Sequence, residues 1–386
     1  MVKLYNTQAD FTTNFENLLS NICPQIRKTQ LNIIPSIIYG MITGESSVST
    51  DIAPHLKNAF SEVQFDSVVR RIRRFYNNKI FSPYDFYDSI ITYVVSNYKL
   101  RFPNSRVHIV IDHMFSKENY LVLMFTMRIG KQGIPIWFRC FKKGNFSGAL
   151  QTELIIQGID YVYNLFKDFN VVFLADRWFG YEKILAHISS LNLKYCIRMR
   201  KMGRVLIYDK VQKHKIWKNL ADLSFHKYHS VIRRNVELFE SQFTTDLVFS
   251  KYENTSDPWI IATNSDTKWA TYDYSHRFGA IECVFKNQKS NCFRIETINN
   301  ASITSFTNMY TLVCTAVLFL TILGTDYAKN KTNVYRHVKI TTHKNYKNKG
   351  KVRVMSLFKT GLTLIKLAFN SAKYIRIPYS LTLYDY

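Results

Sequence analysis

Three acidic residues at separated points of the chain have the type and the position for carboxylate chemistry. Asp112 follows the apolar run Arg-Val-His-Ile-Val-Ile, and Asp176 follows the run Val-Val-Phe-Leu-Ala. Glu282 lies far downstream. A buried strand delivers its last side chain to the rim of a sheet, where α/β proteins bind their ligands. Two acids at two strand ends can therefore converge on one point, and converged carboxylates repel each other unless a cation lies between them.

This arrangement suits divalent metal ions and phosphodiester chemistry. Cleavage of a phosphodiester in water needs an activated water or hydroxyl, a leaving oxygen in line with it, and neutralisation of the phosphate charge. Two metal ions about 4 Å apart meet these needs, and carboxylate oxygens are ligands that Mg²⁺ and Mn²⁺ prefer. We therefore expect Asp112, Asp176 and Glu282 to hold two Mg²⁺ or Mn²⁺ ions, with one carboxylate bridging both. Because a bound metal lowers the pKa of its water, no histidine base is required.

Each acid also has a simpler interpretation. A lone aspartate after a strand is more often a helix cap or a loop residue than a metal ligand. The metal site is favoured by the combination of two strand ends, a third acid and a basic chain. His113, next to Asp112, is a candidate additional ligand, although strand alternation predicts that its side chain points to the opposite face.

The charge of the chain indicates its partner. Among 386 residues, Lys and Arg number 52 against 28 Asp and Glu, a net charge of +24. Such an excess is typical of proteins that bind a polyanion. Double-stranded DNA is the first expectation and an anionic membrane surface the second. With 47% hydrophobic residues, the chain can bury a large core, and its length favours two or three domains.

Cysteine spacing and the longest apolar stretch exclude some further classes of protein. The six cysteines contain no Cys-x-x-Cys pair, which argues against a zinc ribbon and fits a reducing cytosol. The first twenty residues lack the apolar region of a secretory signal. The stretch 309–323 is shorter than the roughly 20 residues that span a bilayer. We expect a buried helix there, closed by Gly324, and no membrane partner.

Residues 1–100 read as a helical DNA-binding domain. Within it, 67–76 combines an apolar seam with a basic face, the pattern of a helix that lies against DNA. The basic face consists of Arg70, Arg71, Arg73 and Arg74. The alternative is a solvated basic helix that covers its own core.

From residue 106 onward the sequence pattern favours strands. Three strands are expected, the last two joined as a hairpin by the turn 130–133, followed by helix, strand, helix and strand. The expected strands are 106–112, 121–129, 134–142, 171–176 and 194–199, and the helices are 150–165 and 181–191. This is the order of a ribonuclease H-like core, a mixed sheet flanked by helices.

The rest of the chain divides around that core. We expect the core to comprise 101–200 and 265–325, with a β-rich insertion at 201–264 and a helix over 267–290 that carries Glu282. The remaining segment, 326–386, is basic and expected to be helical, to contact DNA or to be partly disordered. From residue 327 onward it has thirteen Lys and Arg against the single acid Asp385.

Two motifs resemble those of the bacterial insertion-sequence-4-type DDE transposases. The family's second motif, an aspartate after an apolar strand followed by Arg and an aromatic or small residue, is similar to Leu-Ala-Asp-Arg-Trp-Phe-Gly at 174–180. Its third motif places Tyr, Arg, Glu and Lys along one helix and is similar to 274–289. With Asp112 as the first motif, the resemblance covers residues 60–325, and the β insertion occupies the family's place between the second aspartate and the glutamate.

The resemblance implies roles for individual residues. Asp112, Asp176 and Glu282 are the implied catalytic metal ligands. Tyr274 and Arg277 would hold phosphates near the transposon end, and Lys289 would steady the strand at the metals; Arg177 is a further expected DNA contact. Relatives that form hairpin ends stack an extruded base on a tryptophan, and Trp217, flanked by Lys215 and Lys218, is the better candidate, whereas Trp259 is expected in the core.

One spacing departs from the family. Three residues usually separate the Arg from the Glu, but four separate Arg277 from Glu282 here, while the six before Lys289 are kept. On a straight helix Lys289 falls within about 20° of Glu282, whereas Arg277 falls about 140° away. Either a π-bulge absorbs the extra residue, or the helix begins near Gly279 and the preceding turn places Tyr274 and Arg277.

The sequence therefore predicts a transposase of the cut-and-paste type, cytoplasmic and associated with a bacterial nucleoid. Water would nick the DNA at the element's end, and the freed 3′-hydroxyl would attack further phosphodiesters, through a hairpin and then in the target. A homodimer would hold both ends. The alternatives are a catalytically silent, transposase-derived DNA-binding protein, a plain metal-dependent nuclease and a peripheral membrane protein.

Overall fold

The chain forms a mixed α/β structure, as expected. The structure is a computed structural model, and it describes residues 8–59, 63–100, 102, 105–116, 119–145, 148–209, 211–223, 230–250, 258–297, 302–330, 342–345, 350–353, 355–370, 377 and 379–385.

The regular elements in the described part of the first hundred residues are all helices, which confirms the expected helical character of this segment. The helices are α1 (Gln8–Ile22), α2 (Lys28–Leu31), α3 (Ile34–Gly44), α4 (Ser49–Ile52), α5 (Phe65–Tyr76) and α6 (Pro83–Ser96), with a 3₁₀ segment at Ala53–Ala59. Local signals set their ends. α3 ends where Glu45 takes a left-handed conformation, with φ 45°, and α6 begins with Pro83 in its first turn, where the missing N–H costs no helical hydrogen bond.

The middle of the chain builds one ten-stranded sheet with the order β3-β2-β1-β4-β5-β10-β9-β8-β6-β7. The strands are β1 (Arg106–Ser116), β2 (Tyr120–Ile129), β3 (Gln132–Lys142), β4 (Asn170–Ala175), β5 (Lys194–Arg198), β6 (Arg204–Asp209), β7 (His214–Asn219), β8 (Val231–Leu238), β9 (Phe243–Ser250) and β10 (Trp259–Thr263). β1 is antiparallel to β2 and parallel to β4, and β4 is parallel to β5. The expected hairpin is β2–β3, with Gly130 at φ 58° in its turn.

The predicted β-rich insertion is present and extends the same sheet. β6 to β9 form antiparallel pairs, and β9 joins β10, which in turn pairs antiparallel with β5. The predicted insertion is therefore connected to strands β1–β5 by a continuous hydrogen-bonded ladder.

Helices cover both faces of the sheet's central strands. They are α7 (Gly148–Leu165) and α8 (Glu182–Ser190) between the parallel strands, and α9 (Ala270–Ser275) and α10 (Arg277–Lys286) after β10. Alternation along β4 sorts its side chains: Phe173 packs into the large core that includes α7 and α8, whereas Val172 and Leu174 pack into a smaller core under α9 and α10. β1 and β4 therefore lie in the middle layer of three.

A long buried helix, α11 (Ile303–Asn330), connects the sheet to the N-terminal helices. It is long and apolar enough to cross a bilayer, but its most apolar window is completely buried within the protein. The expectation of a helix closed by Gly324 was wrong, because α11 continues for six residues beyond it. The 325/326 boundary also falls inside α11, so the predicted core and C-terminal segment share a helix.

Gly324 instead permits a close crossing with α12 (Leu357–Asn370). A Cβ built on Gly324 would overlap the carbonyl of Leu357, and a Cβ built on Gly361 would overlap the carbonyl of Leu320. Each helix therefore presents a glycine to the backbone of the other. In the C-terminal segment the structure describes α12, the short pair β11 (Thr342–Asn345) and β12 (Gly350–Arg353), and residues near the end; predictions of DNA contact or disorder for 331–341, 346–349 and 371–376 lie outside the described residues.

The N-terminal helices, the central strands, α11 and α12 share one hydrophobic core. Phe11 and Phe15 of α1, for example, stack edge-on against Phe319 of α11. The side chain of Asn308 in α11 donates hydrogen bonds to the carbonyls of Tyr76 and Asn78 at 2.9 and 2.8 Å. The predicted N-terminal domain is thus packed directly on the later part of the chain.

Substituting Gly324 tests the helix crossing. Gly324→Ala should lower the free energy of unfolding by about 1–3 kcal/mol, because the added methyl group forces α11 and α12 apart. The measurement is urea denaturation followed by circular dichroism. Gly148→Ala in α7 is the matched control, since a Cβ there meets no atom within 4 Å. Equal stability of the two variants would contradict the close crossing.

Candidate active site

The two aspartates predicted to lie at strand ends are neighbours in the sheet. The parallel register of β1 and β4 pairs Ile111 with Ala175, so Asp112 and Asp176 follow at adjacent positions. Asp112 does not end its strand, however. β1 continues to Ser116 because it goes on pairing with β2, where Asp112 faces Met124, after β4 has ended at Ala175.

Arg277 lies between the two carboxylates. Its Nη2 donates a hydrogen bond to Oδ2 of Asp112 at 2.8 Å and lies 3.7 Å from Oδ2 of Asp176. The second oxygen of each acid accepts from the next backbone N–H, that of His113 at 2.9 Å and that of Arg177 at 2.7 Å. The cation that converged carboxylates require is therefore supplied by the protein itself.

Burial makes the charges of this cluster interdependent. Burial raises the pKa of Asp112 above its usual value, and the Arg277 guanidinium opposes that rise. Burial alone would lower the pKa of Arg277, but the charges of Asp112 and Asp176 outweigh it and raise that pKa. Arg277 consequently stays charged at every accessible pH, and the pair persists for as long as Asp112 is ionised.

A break in the backbone sets the position of Arg277. Phe278 is extended, with ψ 151°, and Gly279 has φ 79°, a left-handed conformation that glycine adopts at little cost. The regular helix thus begins after Gly279, as the second of the two spacing alternatives predicted. The single helix expected over 267–290 was wrong, because α9, this break and a π-helical turn at Asn287–Asn291 divide it.

Close packing supports the break on both sides. Phe278 stacks on Trp259 with ring centroids 5.4 Å apart. Gly133 in β3 lies so near the backbone of α10 that a Cβ on it would be 2.7 Å from the carbonyl oxygen of Ala280. Trp259 is 4% exposed, which confirms its expected place in the core.

Glu282 is not assembled with the two aspartates. Its side chain is exposed on α10, yet its charge is among those that raise the pKa of Arg277, so it lies near the cluster. Within the described part of the chain, no group of three or more His, Cys, Asp or Glu side chains is arranged to hold a metal ion. Two of the three predicted ligands converge here and the third does not.

Of the other residues of the third motif, Tyr274 is buried near the acid pair and Lys289 is engaged elsewhere. Tyr274 is fully buried and packs edge-on against Trp259, and burial raises its pKa to about 12. Lys289 lies in the π-helical turn and pairs with Glu296 at 3.1 Å. The charges of Arg277 and Asp176 also shift the pKa of Tyr274, in opposite directions, so its side chain lies near the acid cluster.

The remaining predicted DNA contacts lie on the surface. Arg70, Arg71, Arg73 and Arg74 are all exposed on α5, opposite its buried apolar face. Arg177 is exposed beside Asp176. Trp217 is half-buried on the edge strand β7. Its neighbours Lys215 and Lys218 pair with Glu237 and Asp209.

The ring of His113 lies on the face opposite Asp112, as alternation predicts. It packs against Phe179, which belongs to the large core, with centroids 5.8 Å apart. Burial lowers the pKa of His113, although the charges of Asp112 and Asp176 oppose that change. His113 is therefore a neutral neighbour of the acid pair and is not directed at it.

A second buried polar cluster was not predicted. Asp273 of α9, 1% exposed, accepts a hydrogen bond from Arg106 and pairs with Nε2 of His108 at 3.0 Å. His276 packs edge-on against His108. A signal was present in the sequence, since Arg106, His108 and Asp112 alternate on one face of β1. The two clusters hold α9 and the start of α10 on β1. In one the helix supplies the acid and β1 the basic residues, and in the other the helix supplies the arginine and β1 an acid.

The chain matches no protein-family model and no curated protein. The comparisons thus leave the site to be interpreted from its geometry and charges.

The donor set of the acid pair fits hard divalent cations. Asp112 and Asp176 offer carboxylate oxygens side by side. These carboxylates need a positive charge between them, which Arg277 supplies and which Mg²⁺ or Mn²⁺ would also supply. Glu282 would have to turn towards the pair to complete a three-carboxylate set.

Removing Arg277 tests its role as counter-ion. Arg277→Met should lower the free energy of unfolding by about 2–4 kcal/mol without divalent ions, because two carboxylates lose their cation. Added Mn²⁺ should restore part of this loss by binding the folded state. Thermal unfolding with and without Mn²⁺ measures both effects.

Two further variants control this experiment. Arg74→Met removes an exposed arginine and should change stability by no more than about 0.5 kcal/mol. The double variant Asp112→Asn/Arg277→Met should recover much of the lost stability. A double variant no more stable than Arg277→Met would contradict a direct interaction.

His276 should give the protein a pH dependence. Burial, then the charges of Arg128 and His108, lower its pKa from 6.5 to about 4. The unfolded state therefore takes up a proton before the folded state does, so stability is complete above pH 6.5 and falls as the pH drops towards 4. Because the ring is only partly buried, the expected loss is about 1–2 kcal/mol.

Urea denaturation between pH 7 and pH 4 checks this. His276→Phe should flatten the pH profile, whereas His214→Phe, at an exposed histidine of β7, should leave it unchanged. Parallel profiles for wild type and His276→Phe would rule out the contribution.

Proposed function

We propose that this protein is a DDE-type DNA transposase whose reaction centre is built on Asp112 and Asp176. The observation that carries the proposal is their adjacent position after the last register pair of β1 and β4, on a chain with net charge +24. Two carboxylates held side by side where β4 ends are the kind of ligand pair on which a two-metal phosphodiester-cleaving site is built.

The topology supports the proposed class. In the part of the sheet formed by the first five strands the order is β3-β2-β1-β4-β5, with β1, β4 and β5 mutually parallel and helices between β3 and β4 and between β4 and β5. This strand order supports a ribonuclease H-like fold, in which the strands that follow β5 would be the transposase insertion.

In the proposed reaction Asp112 and Asp176, joined by Glu282, would hold two Mg²⁺ or Mn²⁺ ions. Such ions supply an activated water and neutralise the charge of the phosphate. Arg277, released from the carboxylates, has the planar guanidinium that pairs with two phosphate oxygens. The break at Phe278–Gly279 separates Arg277 from the regular helical part of α10, which carries Glu282.

The bonds made and broken follow from the substrate. A water oxygen forms a bond to phosphorus, the phosphorus–oxygen bond to the 3′-carbon side breaks, and the departing 3′-oxygen takes a proton. That 3′-hydroxyl then attacks a second phosphodiester, so one such bond forms as another breaks. Since two ends must be joined at once, a homodimer on double-stranded DNA is the proposed assembly.

The exposed arginines of α5 supply a surface for the DNA backbone. Four guanidinium groups on one helix face attract phosphates without reading sequence. The same helix contributes Val69 and Ile72 to the core, so the basic face is held on a fixed support.

A catalytically silent DNA-binding protein is the second candidate. It is favoured by the position of Arg277 between the aspartates and by the exposure of Glu282. In this alternative the ion pair permanently replaces the metals, and the basic surface alone carries function.

The Asp176→Asn variant distinguishes the two candidates. On a duplex that contains the inverted repeats flanking the coding sequence, the wild-type protein should cleave in Mn²⁺, and the variant should lose at least about a hundredfold in rate. Both proteins should bind the duplex equally in EDTA. Denaturing gel electrophoresis gives the rates, and pre-cleaved 3′-hydroxyl ends test strand transfer separately.

Asp168→Asn is the matched control. Asp168 is an exposed aspartate just before the other end of β4, and its replacement should leave cleavage unchanged. Binding without cleavage by the wild-type protein would favour the silent candidate, and cleavage that persists in Asp176→Asn would refute the proposed site.

A further inference from the structure

Arg128 is a half-buried cation without an ion-pair partner. It lies near the end of β2, and the register that pairs Ile109 with Met127 brings Arg128 opposite His108 of β1. No residue in the described part of the chain forms a hydrogen bond or an ion pair with its guanidinium. All of the donors of this group are therefore open to a ligand.

The surroundings of Arg128 do not neutralise its charge. Burial lowers the pKa of Arg128, and the charges of Tyr272, Asp385 and Asp273 only partly oppose that change. Burial would lower the pKa of Arg277 as well, but there the neighbouring acids outweigh it. Arg277 thus has its anions, whereas Arg128 is partly desolvated without one, which is unfavourable for a charged group.

His276 of α9 faces the same place. Its ring packs edge-on against His108 and Tyr272, with centroids 4.9 and 4.3 Å away. Within the described ranges, no residue is hydrogen-bonded to its ring nitrogens. After burial, the charge of Arg128 is the largest cause that lowers the pKa of His276, so the two side chains are close neighbours.

The buried acid of this cluster is already engaged. Oδ2 of Asp273 accepts a hydrogen bond from Arg106, and Oδ1 pairs with Nε2 of His108 at 3.0 Å. Arg106 is 28% exposed, and Arg128 and His276 are half-buried. The cluster is therefore accessible from solvent, and its positive groups outnumber its acids.

We propose that Arg128 and His276 together bind a phosphate group of the DNA backbone. A guanidinium pairs with two phosphate oxygens at once, and an imidazole N–H can donate to a third. The net charge of +24 favours nucleic acid as the source of that phosphate.

The position of this site relative to the acid pair suits one continuous strand of DNA. His108, opposite Arg128, precedes Asp112 by four residues of β1, which is about 13 Å along a strand. A strand of B-form DNA covers that distance in about four nucleotide steps. The inference rests on the proposed function, because the same DNA would present its cleaved phosphate to Asp112 and Asp176.

The test is binding of a short labelled duplex in EDTA, which requires neither metal nor cleavage. Fluorescence anisotropy gives the Kd at several salt concentrations. Arg128→Gln should weaken binding about tenfold and reduce the slope of log K against log salt by about 0.9, the contribution of one phosphate contact. Arg128→Lys keeps the charge and should keep the slope.

His276→Phe tests whether the two side chains share one phosphate. The single variant should weaken binding, and its combination with Arg128→Gln should weaken binding by less than the product of the two separate effects.

Thermal unfolding without DNA separates a ligand site from a structural role. Arg128→Gln should leave the unfolding temperature unchanged or raise it, because the substitution removes a partly desolvated charge that lacks an anion. An arginine needed for the fold would lower that temperature when replaced.

Arg139→Gln is the matched control for the loss of one half-buried arginine. Arg139 of β3 lies between two aromatic rings, with its guanidinium carbon 4.3 Å from the ring centre of Tyr84 and 4.4 Å from that of Trp137. Its Nη1 donates to the carbonyl of Phe138 at 2.9 Å. This variant should keep the wild-type salt slope.

Three outcomes would overturn the proposal. The first is an unchanged salt slope in Arg128→Gln, and the second is a clear fall in the unfolding temperature of that variant. The third is stabilisation of the wild-type protein by inorganic phosphate together with DNA binding that does not depend on Arg128, which would assign the site to free phosphate. A failure of the proposed catalytic function would show differently, as Arg128-dependent DNA binding without cleavage that depends on Asp176.

Discussion

The parallel pairing of β1 with β4 brings two carboxylates together, and the surrounding structure neutralises their charge. Because the two strands are in register up to Ile111 and Ala175, two carboxylates emerge side by side, and their repulsion requires a cation. Arg277 supplies it, but only because Phe278 and Gly279 break the helix at that point. The break in turn relies on Trp259 and on the close approach of Gly133 to α10. One electrostatic requirement thus accounts for an unusual backbone and for the packing that supports it.

The two polar clusters carry their charges in opposite arrangements. Asp273 presents a buried negative charge to Arg106 and His108, whereas Arg277, four residues later, presents a positive charge to Asp112. A helix shifted along β1 would place like charges together, so the two pairs select one register of α9 on the sheet. In some proteins buried ion pairs select one arrangement in this way while they add little net stability.

Much of the sheet could be predicted from sequence because β-branched and aromatic runs punctuated by glycines are a local signal. The hairpin turn at Gly130 followed from residue type and spacing, and the helix start after Gly279 was one of the two alternatives that the spacing left open. The end of β1 could not be predicted. Asp112 resembles a strand end in the sequence, and only the continued pairing with β2 shows that the strand goes on. The role of Gly324 could not be predicted either. A glycine is suited both to a helix end and to a close helix crossing, and only the position of the partner helix distinguishes the two. The pairing of Arg277 with the acids depended on the same long-range geometry.

The position of α11 affects how the chain can fold during synthesis. This helix is surrounded by α3, α5 and α6, which precede it by more than two hundred residues, and by α12, which follows it. The apolar faces of the first helices therefore have no complete cover until the ribosome has released residues beyond 330. Contacts so distant in sequence form slowly and leave apolar surface open to aggregation. The nascent chain therefore leaves the apolar faces of its first helices without their native partner through most of its translation.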